Sequence, residues 1–186
     1  QALATVLAGQ GWRLTGSDLL GGCLALSNGS SVALCRGHRP EDVPPAADLI
    51  VYSDAVPPDN PELLRAAERG IPALSYFQML GRLGLGKNLS AVAGTHGKTT
   101  TTAMIAWMLS HLGQDPSYII GGVSKDLGSN AHAGRGRAFV IEADEYDGMF
   151  LGLQPKFAVI TNLEHDHPDC FPTAEDYRQS FAAFVQ

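Results

Sequence analysis

The stretch AVAGTHGKTT, residues 91–100, decides the fold of the chain around it. An apolar run over residues 89–93 predicts a short buried strand, two glycines predict a tight turn, and Lys98 opens a long apolar segment that predicts a helix. Glycines let the backbone adopt positive φ and approach phosphate groups, and the start of a helix offers free N–H groups at the positive end of its dipole. This order of elements therefore predicts a phosphate-binding loop.

The side chains after the second glycine suit the same role. Lys98 is expected to reach the β- and γ-phosphates of a nucleotide, and the Thr99 hydroxyl is expected to bind Mg²⁺. The general pattern has four residues between its glycines, whereas Gly94 and Gly97 enclose only two. An ordinary glycine turn is the alternative interpretation, and the residues further along the chain argue against it.

Composition limits the class of protein. The 186 residues are 45% hydrophobic and 17% charged, which is ordinary for a globular domain that buries a core. The formal charge of −6 argues against a nucleic-acid-binding surface. No apolar stretch reaches the length of a membrane span, and no signal peptide is visible. Cys23, Cys35 and Cys170 form no C-x-x-C pair, so we expect neither a disulfide framework nor a zinc site, and we expect a reducing cytoplasm.

The first half of the chain alternates between helical and extended patterns. The predicted helices cover residues 2–8, 24–27, 61–69 and 76–83, and the predicted strands cover residues 12–16, 31–34, 48–52 and 73–74. Such alternation indicates an α/β fold with a parallel sheet, and ligands bind such sheets beyond the carboxyl ends of their strands. Ser17, Asp18, Ser53 and Asp54 occupy those positions, where turn or cap residues are the alternative interpretation.

A glycine-rich polar stretch over residues 84–88 predicts a boundary between two domains, residues 1–86 and residues 87–186. In the second domain the helix over residues 98–112 is apolar nearly all round, so we expect it to be buried on several sides. Strands are predicted over residues 118–120, 139–142 and 157–161, and a loop over residues 128–136.

Two of these strands deliver polar residues at their carboxyl ends. Glu142 follows an apolar strand directly, which favours it as a magnesium ligand, whereas we interpret Glu145 and Asp147 as solvated loop residues. His165 and His167 alternate in direction if their segment is extended, so at most one should face the site. A zinc site formed with Cys170 is a poor alternative, because no further Cys or His cluster is present.

Three motifs together resemble the signature of the Mur ligases, the ATP-dependent amino-acid ligases of bacterial peptidoglycan synthesis. They are GTHGKTTT at residues 94–101, EADE at residues 142–145 and TNLEHDH at residues 161–167. The resemblance covers the whole chain, and its motifs after residue 88 are the specific ones. The segments GSNA at residues 128–131 and FLGLQP at residues 150–155 are most similar to the branch that joins L-alanine to UDP-N-acetylmuramic acid.

The resemblance implies a role for individual residues. Lys98, Glu142 and His167 would be catalytic, and Thr99, Glu142 and His167 would hold Mg²⁺. The resemblance implies contacts with ATP for Gly94, Thr95, His96, Gly97, Lys98, Thr99, Thr100, Asn162 and Glu164. It implies contacts with the UDP-sugar for Ser17, Asp18, His38, Ser53 and Asn130.

The resemblance also implies the architecture and the reaction. It implies a Rossmann-like domain for the UDP-sugar followed by a P-loop-type ATP-binding domain, both incomplete, so we expect a fragment that is inactive alone. The reaction would pass the γ-phosphate of ATP to the carboxylate of UDP-N-acetylmuramic acid, after which L-alanine displaces phosphate. No nucleic acid or membrane partner is expected, and the oligomeric state stays open.

Three alternatives remain open at this point. The nearest is the related ligase that recycles a murein tripeptide onto the same UDP-sugar. A P-loop kinase or NTPase of another class is more distant, and a non-catalytic module that binds a nucleotide or UDP-sugar belongs to a different class altogether. Intact Lys98, Thr99, Glu142 and His167 argue against the last two.

Overall fold

A computed structural model describes all residues of the chain except the side chain of Asp147. Its helices are α1 (Ala2–Gly9), α2 (Pro61–Glu68), α3 (Tyr76–Gly84), α4 (Lys98–His111) and α5 (Ala174–Phe184), with short 3-10 helices at Pro40–Asp42 and Tyr146–Gly152. Its strands are β1 (Gly16–Asp18), β2 (Gly22–Ala25), β3 (Ser31–Arg36), β4 (Ile50–Tyr52), β5 (Ala73–Ser75), β6 (Asn88–Ala93), β7 (Ser117–Ser124), β8 (Ser129–His132), β9 (Ala138–Glu142) and β10 (Phe157–Ile160). The predicted α/β class is confirmed.

The largest sheet carries the phosphate-loop stretch on an inner strand. Its order is β10-β6-β9-β7-β8, and every pairing is parallel except that of β8 with β7. Val92 lies opposite Glu142, and Ala93 lies opposite Ile160. The carboxyl ends of β6, β9 and β10 therefore meet at one edge of the sheet, where ligands bind in this class of fold.

Both faces of this sheet are covered, which explains the continuous apolar runs of its strands. On one face α4 places Ala106 against Tyr118, Ile120 and Val140. On the other face, α1, α3, α5 and the second 3-10 helix contribute to a larger core. Phe150 is stacked on Phe184 in that core, with ring centroids 4.5 Å apart.

Helix α1 connects the two halves of the sequence. Leu3, Val6 and Leu7 are buried in the same cluster as Ile119 of β7 and Ala131 of β8. The approach is close enough that a Cβ at Gly9 would collide with that of Ala133. Helix α1 therefore packs on the five-stranded sheet, which the second half of the sequence forms. The domain boundary after residue 86 stays a prediction.

The N-terminal strands form two smaller sheets. One has the order β1-β3-β2, with β1 parallel and β2 antiparallel to β3, and the other pairs β4 with β5 in parallel. The predicted helix over residues 24–27 is wrong, because Leu24 lies in β2 and pairs with Val32 of β3. Asn28 and Gly29 lie in the turn between these strands, with Gly29 at φ +82°, and Asn-Gly is a strong hairpin signal.

Three further expectations need correction. The strand predicted over residues 12–16 begins only at Gly16, so Ser17 and Asp18 lie in β1 rather than after it. The loop predicted over residues 128–136 contains β8. Strand β7 continues through Gly121 and Gly122, and β8 pairs with it in antiparallel orientation. Helix α4 is not buried on several sides: Met104 is 57% exposed, since the helix covers only one face of the sheet. The remaining predicted helices and strands are confirmed within a few residues.

Candidate functional site

The loop between β6 and α4 is held in a conformation that requires glycine. Gly94 has φ +127°, and a Cβ there would collide with Thr161 Oγ1 and approach the backbone of Asn162. Gly97 has φ +83° and is the N-cap of α4, and no side chain caps it in the described part of the chain. The first N–H groups of α4 are therefore available to an anion, and the helix dipole adds to the attraction.

Lys98 starts α4 and turns back over the loop. Its Nζ donates to the Gly94 carbonyl oxygen at 2.6 Å and to Glu145 Oε1 at 2.9 Å. The sequence-based interpretation of Glu145 as a solvated loop residue is wrong, because its side chain is 0% exposed. After β9 the chain turns into the second 3-10 helix, whose Phe150 enters the core, and this turn directs Glu145 inward. The side chain of Asp147 lies outside the described part.

Thr99 and Glu142 form the second polar pair of the site. Thr99 Oγ1 donates to Glu142 Oε1 at 2.9 Å, and Glu142 Oε2 accepts from the backbone N–H of Gly121 at 2.6 Å. A Cβ at Gly121 would crowd that carboxylate, so the glycine leaves room for it. Two hard oxygen donors lie side by side at the carboxyl end of the sheet.

This donor set fits Mg²⁺ when nucleotide phosphates complete the coordination. Within the described residues, no group of three or more His, Cys, Asp and Glu side chains could hold a metal ion. Mg²⁺ typically uses one or two protein ligands together with phosphate oxygens and water. The arrangement therefore suits Mg²⁺ bound with a nucleotide better than zinc bound by His165, His167 and Cys170.

The two histidines contact different groups, and the backbone is not extended at His167. His165 Nε2 lies 2.7 Å from the carbonyl oxygen of Phe171. His167 adopts φ +54°, which is uncommon outside glycine, and its Nε2 lies 3.9 Å from Glu145 Oε1. The structure therefore brings His167 to the Lys98 side of the site, where its ring meets Tyr146 edge-on.

The segment after β10 braces the loop. The backbone N–H of His96 donates to Asn162 Oδ1 at 2.9 Å. Thr95 Oγ1 donates to the Glu164 carbonyl oxygen at 2.8 Å and lies 3.0 Å from the Tyr177 hydroxyl. The Glu164 side chain is 69% exposed, with Oε2 3.8 Å from His96 Nε2. Thr100, in the first turn of α4, lines a groove that it shares with Thr99, Met104 and Trp107.

A second polar cluster lies among the N-terminal strands. Ser17 Oγ donates to Glu62 Oε2 at 2.6 Å, and His38 Nδ1 lies 3.2 Å from the same oxygen and 3.1 Å from Ser17 Oγ. The lining of a cavity of about 920 Å³ includes this cluster together with Asp18 and Ser53. Sequence reasoning missed Glu62, although its place beside Pro61 at the start of α2 directs it to the strand ends.

Asn130 is not brought to this cavity. It lies on β8, where its Oδ1 accepts from Ser27 Oγ at 3.5 Å. Asp18 Oδ1 accepts from the backbone N–H of Leu20 at 2.9 Å, which is a local turn contact.

Burial raises the pKa of the Tyr177 hydroxyl to about 12, with Glu145 adding to the shift, so this hydroxyl keeps its proton beside the phosphate-binding loop at neutral pH.

Comparison with known proteins supports the motif-based resemblance. Residues 92–186 match the model of the Mur ligase middle domain, and residues 1–87 match that of the Mur ligase family catalytic domain. The chain therefore belongs to the Mur ligase family. Over 185 residues it is 44% identical to a UDP-N-acetylmuramate–L-alanine ligase of Syntrophomonas wolfei, covering 99% of this chain and 40% of that relative.

Two solved structures share the fold. A ligase of Neisseria meningitides, named UDP-N-acetylmuramate:L-alanyl-gamma-D-glutamyl-meso-diaminopimelate ligase, superposes with a TM-score of 0.81 at 29% identity and covers 99% of this chain and 63% of that one. A UDP-N-acetylmuramate-alanine ligase of Thermotoga maritima gives a TM-score of 0.68 at 32% identity, covering 82% and 36%. In the described residues, no helix is both long and apolar enough to cross a membrane.

Proposed function

We propose that the protein carrying this chain is an ATP-dependent ligase that joins L-alanine to UDP-N-acetylmuramic acid in cytoplasmic peptidoglycan precursor synthesis. The observation that carries the proposal is the loop of Gly94, Gly97 and Lys98 beside the Thr99–Glu142 pair. The names of the curated relatives support the choice of substrates, and the chain spans 40% of the first of them.

The loop would hold the triphosphate of ATP. The free N–H groups at the start of α4 and the Lys98 ammonium supply positive charge where phosphate oxygens accumulate negative charge. Thr99 and Glu142, together with His167, would hold Mg²⁺, which neutralises part of the phosphate charge when bound. The contacts made by Thr95, His96, Asn162 and Glu164 keep the loop in place for this task.

The proposed reaction activates a poor electrophile. A carboxylate oxygen of UDP-N-acetylmuramic acid attacks the γ-phosphorus and the bond to ADP breaks, giving an acyl phosphate. The amine of L-alanine then attacks the acyl carbon, phosphate leaves with the bridging oxygen, and the amine loses a proton. Two anions must meet in the first step, and the charge around Lys98 lowers that barrier.

The cavity beside β1 would bind the UDP portion. Ser17, His38 and Glu62 place hydroxyl, imidazole and carboxylate groups together at its wall, which suits a polar ligand rich in hydroxyl and amide groups. Asp18 and Ser53 line the same cavity. Asn130 of β8 would contact the sugar only if the ligand extends beyond the cavity.

The test uses the full-length protein with ATP, Mg²⁺ and UDP-N-acetylmuramic acid. Phosphate release is compared with L-alanine, glycine, L-serine, murein tripeptide and no acceptor. We expect release that depends on L-alanine and exceeds that with the other acceptors. Release only with tripeptide would instead support the second candidate, ligation of the tripeptide, which the name of the Neisseria ligase and its TM-score of 0.81 favour. The absence of phosphate release with every acceptor would contradict both candidate functions.

A further inference from the structure

The carboxylate of Glu145 is buried next to the phosphate-binding loop and has no assigned role. Its side chain is 0% exposed, and Oε1 accepts from Lys98 Nζ at 2.9 Å and from the Tyr177 hydroxyl at 3.3 Å. Among the described residues, Oε2 finds no hydrogen-bond partner. Burying an incompletely paired charge destabilises a fold, so residues of this kind are typical of functional sites.

The pairing restrains the ammonium group of Lys98. Lysine has a flexible stem and three donor hydrogens, and here two of them are directed at the Gly94 carbonyl and at Glu145. One hydrogen remains for an incoming phosphate oxygen. The Lys98 side chain is 17% exposed, so the ammonium keeps access to the outside of the loop.

Tyr177 extends the same arrangement to α5. Its hydroxyl lies 3.0 Å from Thr95 Oγ1 and 3.3 Å from Glu145 Oε1, while its ring is buried against Phe171 and Phe181. Glu145 thereby joins the loop, the start of α4 and the last helix through one oxygen atom.

We propose that Glu145 is a positioning residue, which holds Lys98 in the orientation that phosphoryl transfer needs and does not touch the nucleotide itself. This inference rests on the proposed function. It has two opposite consequences, since a buried negative charge near the phosphates opposes nucleotide binding while a fixed ammonium favours the transition state. A side chain that served only the packing of the site would aid both nucleotide binding and the transition state.

The test compares wild-type full-length protein with Glu145→Gln, which keeps the shape and removes the charge. Glu175→Gln is the matched control, because Glu175 lies on α5 with a side chain 63% exposed and pairs with Arg178. Calorimetry measures the affinity for ADP in EDTA, and steady-state kinetics measure kcat and the KM for ATP. We expect E145Q to bind ADP at least twofold more tightly and to lose at least tenfold in kcat without a rise in KM.

An unchanged kcat, or ADP binding that weakens together with kcat, would overturn the proposal. If E145Q does not fold, Tyr177→Phe provides the second test, since it removes one hydrogen-bond donor from Glu145 and keeps the ring. We expect its kcat to fall severalfold while the affinity for ADP is retained. An unchanged kcat would overturn the proposal. The ADP measurement needs no turnover. Failure of the proposed function, seen as absent phosphate release by the wild-type protein, is therefore distinguishable from failure of this inference.

Discussion

Thr99 Oγ1 and Glu142 Oε1 are joined by a hydrogen bond of 2.9 Å, although one residue lies in the first turn of α4 and the other ends β9. The parallel register of β6 and β9 produces this meeting, because it sets Val92 opposite Glu142 just before the loop. The Gly121 N–H fixes the other carboxylate oxygen. The end of β9 and the first turn of α4 thus bring two oxygen donors to one point.

Replacing the Thr99 hydroxyl should expose its role in magnesium binding. Thr99→Val keeps the shape and removes the oxygen, so we expect phosphate release to fall roughly 10²-fold and to need more Mg²⁺. Thr99→Ser, which retains a hydroxyl, is the control and should stay within about tenfold of wild type. The measurement is a titration of activity with Mg²⁺. A valine variant with the magnesium dependence of wild type would exclude Thr99 as a ligand.

Lys98→Ala should abolish ligase activity and also weaken the fold. It leaves the Glu145 carboxylate buried without its cation, which typically costs roughly 3 kcal/mol of unfolding free energy. Adding Glu145→Gln to Lys98→Ala should recover most of this stability and none of the activity. Urea unfolding of the single and double variants measures the coupling. Equal stability of the two variants, or normal turnover by Lys98→Ala, would contradict this account.

Gly94→Ala should destabilise the protein more than an alanine substitution at a glycine that has a similar positive φ but no neighbouring atoms. A residue other than glycine at φ +127° costs about 1–3 kcal/mol, and at Gly94 the new Cβ also collides with Thr161. Gly22→Ala is the matched control, because Gly22 has φ +121° and its added Cβ meets no described atom within 4 Å. Urea midpoints compare the two. Equal losses would show that the loop can move away from β10.

The turn after α4 should respond to acid. The backbone N–H of Arg135, followed by the side chains of His132 and Arg135, lowers the pKa of Asp115 from 3.8 to about 2. Since the folded pKa is depressed, the Asp115 carboxylate contributes stability above pH 4, and that contribution is lost as the pH falls towards 2. Asp115→Asn should therefore be less stable than wild type at pH 7, with the gap closing between pH 4 and pH 2.

Thermal unfolding at several pH values provides this comparison. Asp126→Asn, at an exposed position in the turn between β7 and β8, controls for the loss of one surface carboxylate. A gap of constant size down to pH 2 for Asp115→Asn would contradict the assignment of charge-based stabilisation to this turn.

The sequence was most informative where local chemistry decides the structure. Gly94, Gly97 and Lys98 predicted the strand, loop and helix correctly, because a glycine turn between apolar segments has few other outcomes. Glu145 could not be predicted from its acidic neighbours, since its burial depends on Tyr177, which lies 32 residues further along the chain. Leu24 lies in a hairpin strand rather than in the predicted helix, because Asn28 and Gly29 form the turn that pairs β2 with β3.

The N-terminal cluster shows the same limit. The position of Ser17 at a strand end indicates a ligand contact, and the family resemblance implies one for His38, but Glu62 lies 45 residues after Ser17 and meets it only through packing of α2. Similarly, one side of α4 is exposed because the helix lies on one face of the sheet, and its apolar composition alone does not predict that position. Long-range packing, rather than local preference, decided each of these cases.

The most direct test of the central claim follows an oxygen atom. Full-length protein is given ATP, Mg²⁺, L-alanine and UDP-N-acetylmuramic acid labelled with ¹⁸O in its carboxylate, and the released phosphate is analysed by mass spectrometry. If this site activates the carboxylate as an acyl phosphate, each phosphate released carries one ¹⁸O atom and alanylated UDP-sugar accumulates in equal amount. Unlabelled phosphate, or phosphate released without the alanylated product, would contradict the account.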